Sequence, residues 1–219
     1  MKIEIDRKEF ISDLEMLQFA IISSLKDNYN GLYIKAEADG TIHLVGNNKE
    51  NQMEITRNHI KVIEPGECNV YAPQLLNTVK AANKPTLTLT SDTKAFEMFA
   101  MPCHARFPLR PVNSFPKIET FTAHNSITLK TEPFKEALKN VAFAVAEEKL
   151  SVYNNIWLNL QVGETNGIMK IGATNVKHMA LKEYSIDTNG KTTGLTVLIP
   201  LKVSMELIKL LGNNEEETI

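Results

Sequence analysis

The chain resembles itself at a fixed shift, and that limits its architecture more than any other feature. Ile3-Glu4-Ile5, followed by Phe10, Leu14, Leu17 and Ile21, recurs 124 residues later as Ile127-Thr128-Leu129, followed by Phe134, Leu138, Val141 and Val145. In each copy the first three residues alternate apolar and polar, as a half-buried strand requires, and the later apolar positions step by four, three and four, which is one helical face. The same shift carries Leu32-Tyr33-Ile34 onto Ile156-Trp157-Leu158, and a turn three residues longer then carries Gly46-Asn47-Asn48 onto Ala173-Thr174-Asn175.

Each copy continues into a proline-led second helix, Pro73 to Lys84 in one and Pro200 to Leu211 in the other. Proline costs nothing at a helix start, where its missing N–H would be unpaired anyway. The first two helices are expected over Arg7–Lys26 and Pro133–Lys149. Copy one then adds three strand-like runs, beginning at Thr86, Ala95 and His104, for which copy two has no equivalent. Pro85 to Pro116 is 32 residues against 7 from Asn213 to Ile219, a shortfall of 25. The order strand, helix, strands, helix, strands makes each copy an α+β unit with two helices on one face of an antiparallel sheet. The expected organisation is a first domain at 1–117, a polar linker at 118–125 and an incomplete second domain at 126–219, with no third domain.

Composition narrows the function. With 24 Lys+Arg against 26 Asp+Glu the net charge is −2, so any contact with nucleic acid must be local. No run approaches the roughly 18 apolar residues of a membrane span, and the Met1 to Asp6 start lacks a signal-peptide core, so a cytosolic location and no membrane partner are expected. Cys68 and Cys103 stand alone, which offers neither a zinc site nor a disulfide framework. Phosphate-binding loops, dinucleotide fingerprints and nucleophile elbows are all missing from the sequence, so no catalytic residue, cofactor or metal is expected. His43, His59, His104, His124 and His178 are scattered. Glu147-Glu148 and Glu215 to Glu217 read as solvated charge runs, and an enzymatic site using Glu147, Glu148 and a histidine would require metal-dependent turnover. The four expected helices carry ten basic and seven acidic residues, a local positive excess in a net negative chain.

Three segments, Met1-Lys-Ile-Glu-Ile-Asp-Arg-Lys-Glu-Phe10, Phe134-Lys-Glu-Ala-Leu-Lys-Asn-Val-Ala-Phe-Ala-Val145 and Ala173-Thr-Asn-Val-Lys-His-Met-Ala-Leu181, together resemble the bacterial DNA polymerase III β subunit, the replicative sliding clamp. Arg106-Phe-Pro-Leu109 followed by Ser114-Phe-Pro-Lys117 looks like that family's close of its first domain. The resemblance covers the whole chain and corresponds to domain one and most of domain two. It implies a non-catalytic subunit of a polymerase holoenzyme: a head-to-tail ring dimer of three-domain subunits that encircles double-stranded DNA without sequence specificity and tethers the replicative polymerase. A shortened relative that binds peptides or pairs with another clamp, without encircling DNA, is the alternative.

The family's peptide groove lies between its second and third domains and receives short segments of the polymerase, the clamp loader and other clamp-binding proteins. Matched by motif, its second-domain wall here would be Tyr153, Thr174, Val176, Lys177, His178 and Met179. The family usually has Asp-Gly/Ser-His-Arg-Leu where Asn175-Val-Lys-His-Met179 stands, so Val176 replaces a glycine or serine and His178 an arginine. On the DNA side the family's basic positions become Ser24 and Pro73, and the expected phosphate-facing residues are Lys26, Lys80, Lys84, Lys135, Lys139, Lys149, Lys202 and Lys209.

Overall fold

The computed structural model describes residues 1–21, 31–49, 51–120, 122, 127–147, 152–163, 166–187 and 194–211. The chain divides into two compact units, Met1–Thr120 and Phe121–Ile219, each with its own hydrophobic core.

In the first unit β1 (Lys2–Asp6) runs directly into α1 (Arg7–Leu17), and a 3-10 turn follows at Gln18–Ala20. Asp6 makes the junction. Its carboxylate accepts from the backbone N–H groups of Lys8 (2.8 Å) and Glu9 (3.0 Å), two of the donors that a helix start leaves open. Then come β2 (Gly31–Ala36), β3 (Ile42–Asn47), β4 (Gln52–Arg57), β5 (Lys61–Glu64), β6 (Gly66–Tyr71), α2 (Leu75–Ala81), β7 (Thr86–Ser91), β8 (Ala95–Ala100) and β9 (Cys103–Arg110). The strands form one antiparallel sheet of nine in the order β4-β3-β2-β6-β9-β8-β7-β1-β5. β9 joins its halves: it pairs with β8 from Cys103 to Pro108, then with β6 through Leu109 and Arg110.

The alternation in β1 buries Ile3 and Ile5, and α1 lays Phe10, Leu14 and Leu17 over the same core. Each such fully buried side chain stabilises the unit by about 1.5–3 kcal/mol. Cys68 lies in this core, where burial pushes its thiol up to about 12, so it stays protonated and unreactive at neutral pH. One charged residue shares the buried face of α1. Asp13 is fully buried, and Arg57 at the end of β4 meets its carboxylate with Nε at 3.1 and 3.2 Å while Nη2 also donates to it. That bond raises the Arg57 pKa above its ordinary value, and the pair ties helix to sheet.

The second unit holds α3 (Thr131–Ala142), β10 (Asn155–Val162), β11 (Asn166–Thr174), β12 (Met179–Asp187), β13 (Leu195–Pro200) and α4 (Leu201–Leu210). Its four strands form an antiparallel sheet in the order β12-β11-β10-β13, against which α3 and α4 pack. Pro200 ends β13 and caps α4. Phe134, Leu138, Val141 and Val145 are buried together, as the spacing requires.

Strand pairing carries the internal repeat into three dimensions. Tyr33 lies opposite Val45 in β3 and Asn69 in β6, while Trp157 lies opposite Gly172 in β11 and Leu198 in β13. Asn47 faces Gln52, and Thr174 faces Met179. Hence β2, β3, β4 and β6 correspond to β10, β11, β12 and β13. At the place of Asp13 and Arg57 the second unit has Ala137 and Tyr184, and burial pushes the Tyr184 hydroxyl up to about 12.

Several expected boundaries change. Ile127 to Leu129 is not a strand: in the first unit β1 is held by ladders to β7 and β5, and among the described residues nothing pairs with 127–129 in that way, although Leu129 is still buried. α1 stops at Leu17, nine residues before Lys26; α3 starts at Thr131 and stops at Ala142, before Lys149; and α2 covers only Leu75–Ala81. Ala82, expected inside α2, instead has an extended backbone.

Arg57→Ala is expected to destabilise the first unit by about 3 kcal/mol in urea unfolding, because it leaves a buried carboxylate without its partner. The double replacement Asp13→Ala with Arg57→Tyr, which copies the second unit, should recover most of that loss, since an ion pair and an apolar pair of similar volume are close to interchangeable.

Candidate functional site

The outer face of the second sheet carries an unusual row. Across the four strands, Leu181, Gly172, Trp157 and Leu198 stand in register. Gly172 makes the row a trough: a Cβ there would stand 3.5 Å from Cε3 of Trp157 and 3.3 Å from Cδ1 of Leu181, so the glycine leaves room between two large side chains. The next row sets Met179 opposite Thr174 and Asn155 opposite Pro200, and a 3-10 turn at Val152–Asn154 brings Val152 and Tyr153 to the rim. Val152, Tyr153, Asn155, Trp157, Gly172, Ala173, Thr174, Met179 and Leu198 line a cavity of about 270 Å³.

On the other side of the Trp157 row the surface turns polar. Lys170 pairs with Glu183 at 3.2 Å, and Asn159 Nδ2 donates to Thr196 Oγ1 at 2.8 Å. Met179 is 70% exposed, Val152 66%, Leu198 52% and Tyr153 43%, so large apolar side chains gather here in water. A bounded apolar patch of this kind on a sheet face offers area that another apolar group would bury.

Of the six expected wall residues, Tyr153, Thr174 and Met179 line the cavity. Val176, Lys177 and His178 sit beside it in the exposed turn between β11 and β12. That turn is organised by Asn175, whose Oδ1 accepts from the backbone N–H groups of Lys177 (3.1 Å) and His178 (2.8 Å), while Thr174 Oγ1 donates to the His178 carbonyl. Motif matching did not reach Val152, Trp157, Gly172 and Leu198, which strand pairing and the rim turn bring to the same place.

The lysines part company. Lys26 and Lys149 lie outside the described residues. Lys80, Lys84, Lys139, Lys202 and Lys209 are exposed on or just beyond their helices, with Lys80 held 2.6 Å from Glu15 and Lys209 2.7 Å from Glu206. Lys135 differs from the others. It is 6% exposed, and its ammonium donates to the Leu211 carbonyl at 3.1 Å, at the end of α4.

Two of the described histidines have local side-chain partners. His43 Nδ1 lies 2.9 Å from Glu54, and His104 stacks on Phe99 at 4.3 Å between ring centres. His124 and Glu148 lie outside the described residues, and Glu147 is exposed. Among the described residues no group of three or more His, Cys, Asp or Glu is placed to hold a metal, and no described helix is long and apolar enough to cross a membrane.

Val176 adopts φ = 76°, the left-handed region that a β-branched residue enters at a cost of about 1–2 kcal/mol. Val176→Gly should therefore stabilise the chain by about 1 kcal/mol, the strain relieved less the extra chain entropy of glycine. Denaturant midpoints of the two proteins measure this, and an unchanged or lower midpoint contradicts it.

No protein-family model matches the chain. It is 30% identical, over 98% of its length, to the β sliding clamp of Mycoplasmopsis pulmonis, and 22% identical over 98% to that of Salmonella typhimurium, and it spans 57% and 58% of those relatives. Its fold superposes on the DNA polymerase III β subunit of Pseudomonas aeruginosa with a TM-score of 0.86 at 18% identity, and on the sliding clamp of Bacillus subtilis with 0.86 at 19%. In both cases all of this chain is covered, against 58% of the solved one. By sequence and by fold, the chain matches an N-terminal-like part of the bacterial β sliding clamp, the β subunit of DNA polymerase III.

Proposed function

We propose that the chain acts in DNA replication as a sliding clamp or part of one: a non-catalytic processivity factor that holds a polymerase and its clamp loader on duplex DNA. The observation that carries this is a duplicated α+β unit, matched over 98% of its length by a β sliding clamp, with an apolar trough on the second sheet. Retention would be topological. A closed ring cannot leave a circular duplex, so it needs only loose, water-bridged phosphate contacts, and a strongly basic groove would pin it. The helix surfaces suit that requirement, since Lys80 and Lys209 are each paired with a neighbouring carboxylate. A head-to-tail assembly of such units, with the helices facing the duplex, would complete the ring.

Partner capture would fall to the trough. Its walls are apolar and include Met179, a flexible thioether side chain that adapts to different ligands. Binding would then come from burying apolar side chains rather than from charge, leaving the phosphate contacts independent of it.

Two experiments test this. The protein, loaded on nicked circular plasmid by a clamp loader, should remain through gel filtration and be lost once the plasmid is cut; equal behaviour on circular and linear DNA would instead indicate a peptide-binding relative that does not encircle DNA. Griselimycin, bound in the solved clamps of Bartonella birtlesii and Pseudomonas aeruginosa, should bind this chain too. Met179→Ala and Tyr153→Ala should each weaken it by about tenfold in calorimetry, roughly 1.4 kcal/mol.

A further inference from the structure

The second helices of the two units carry the same charge at the same place. Tyr71 in β6 pairs with Gly31, and Pro200 in β13 pairs with Asn155, the counterpart of Gly31 in the repeat. Counting on from Tyr71 and Pro200 without a gap sets Leu75 on Ser204, both fully buried. It also sets Val79 on Ile208, each packed in or against the core of its own unit. The same register sets Lys80 on Lys209, the basic residues in the last turns of α2 and α4. A cation there suits the negative end of a helix.

Each of these lysines is held by a carboxylate, and the two carboxylates have different origins. Lys80 Nζ lies 2.6 Å from Glu15 Oε1 of α1, across the helix pair. Lys209 Nζ lies 2.7 Å from Glu206 Oε1, one turn back on α4 itself. The repeat explains the change of source. Lys139 of α3 stands where α1 has Glu15, and Asn77 of α2 stands where α4 has Glu206. Where the first helix offers a lysine instead of a glutamate, the second helix supplies the carboxylate. Stability is a poor reason for either pair, since ion pairs at the surface contribute little to folding. Glu15 also stands in the last turn of α1, where a carboxylate opposes the helix dipole. What the two pairs share is their effect on Lys80 and Lys209, whose charge is answered before any ligand arrives.

We propose that Glu15 and Glu206 act as internal competitors of DNA phosphate. Each engages the equivalent lysine of its unit, and a phosphate must displace it to be bound, so the contact is weakened and shortened. This rests on the reading of the helix surfaces as facing duplex DNA, and it names the residues that set how loosely they touch it. A lysine without a carboxylate partner at either place would gain the full counterion release of a phosphate contact. With the carboxylate present, the ion pair given up cancels part of that gain.

The test follows binding of the whole chain to a short fluorescein-labelled linear duplex by anisotropy, at several potassium chloride concentrations. Glu15→Gln should bind about threefold more tightly than the unaltered chain, and the slope of log affinity against log salt should steepen by about 0.9 for the lysine released. In a Lys80→Gln chain the same substitution should change neither quantity. Glu206→Gln is an independent second arm, with a gain of the same kind that Lys209→Gln removes. Absence of a gain in either arm, or a gain that persists without the lysine, overturns the proposal, because the carboxylate then acts through net charge alone. Denaturant midpoints check that each variant is folded. Retention of the unaltered chain on circular against linear plasmid is measured alongside. With retention specific to the circle but no lysine-dependent gain, the proposal falls and the clamp reading stands. With the gain but no such retention, the proposal stands and encirclement fails. No duplex binding by any chain together with no retention overturns both.

Discussion

Both units depend on one contact, the apolar stripe of a first helix laid over an antiparallel sheet. Phe10, Leu14 and Leu17 in one unit and Phe134, Leu138 and Val141 in the other are buried together with alternate residues of the strands beneath. Neither surface would be stable in water alone, since a sheet with one apolar face and a helix with one apolar stripe each require the other. Once that seam closes, the opposite face of the sheet is free to differ between copies, because nothing in the core reads it.

That freedom shows in the outer faces. Tyr33 and Trp157 hold the same position, yet one is covered by a neighbouring segment of its own chain and the other floors an open trough. Duplication supplied the same strand register twice, and three amide side chains of the first copy, Asn69, Asn47 and Gln52, are exchanged for Leu198, Thr174 and Met179 in the second. The two outer faces thus differ first in hydrogen-bonding capacity.

Local spacing revealed the seam, because helical and strand periods appear directly in the order of residues, and it revealed the repeat for the same reason. Properties set by distant partners were hidden. Ile127 to Leu129 has the alternation of β1 but, among the described residues, not its ladders, and a strand is a property of the pair. Lys135 reads as a solvated helix residue, while its long stem lets the ammonium reach the end of a second helix 76 positions away. Motif matching named Thr174 and Met179, which flank a recognisable turn, and Tyr153 in a separate 3-10 turn. Trp157, Gly172 and Leu198 belong to three different strands, and only register unites them.

The exchange of Asp13 and Arg57 for Ala137 and Tyr184 has a thermal consequence. Desolvating charge becomes less costly as temperature rises, whereas apolar burial per unit area levels off, so helix and sheet are fastened by forces with different temperature dependence in the two halves. Each half has a separate core. A single melting temperature then describes neither, and a calorimetric trace of the whole chain is a superposition whose components shift apart or together with solvent conditions.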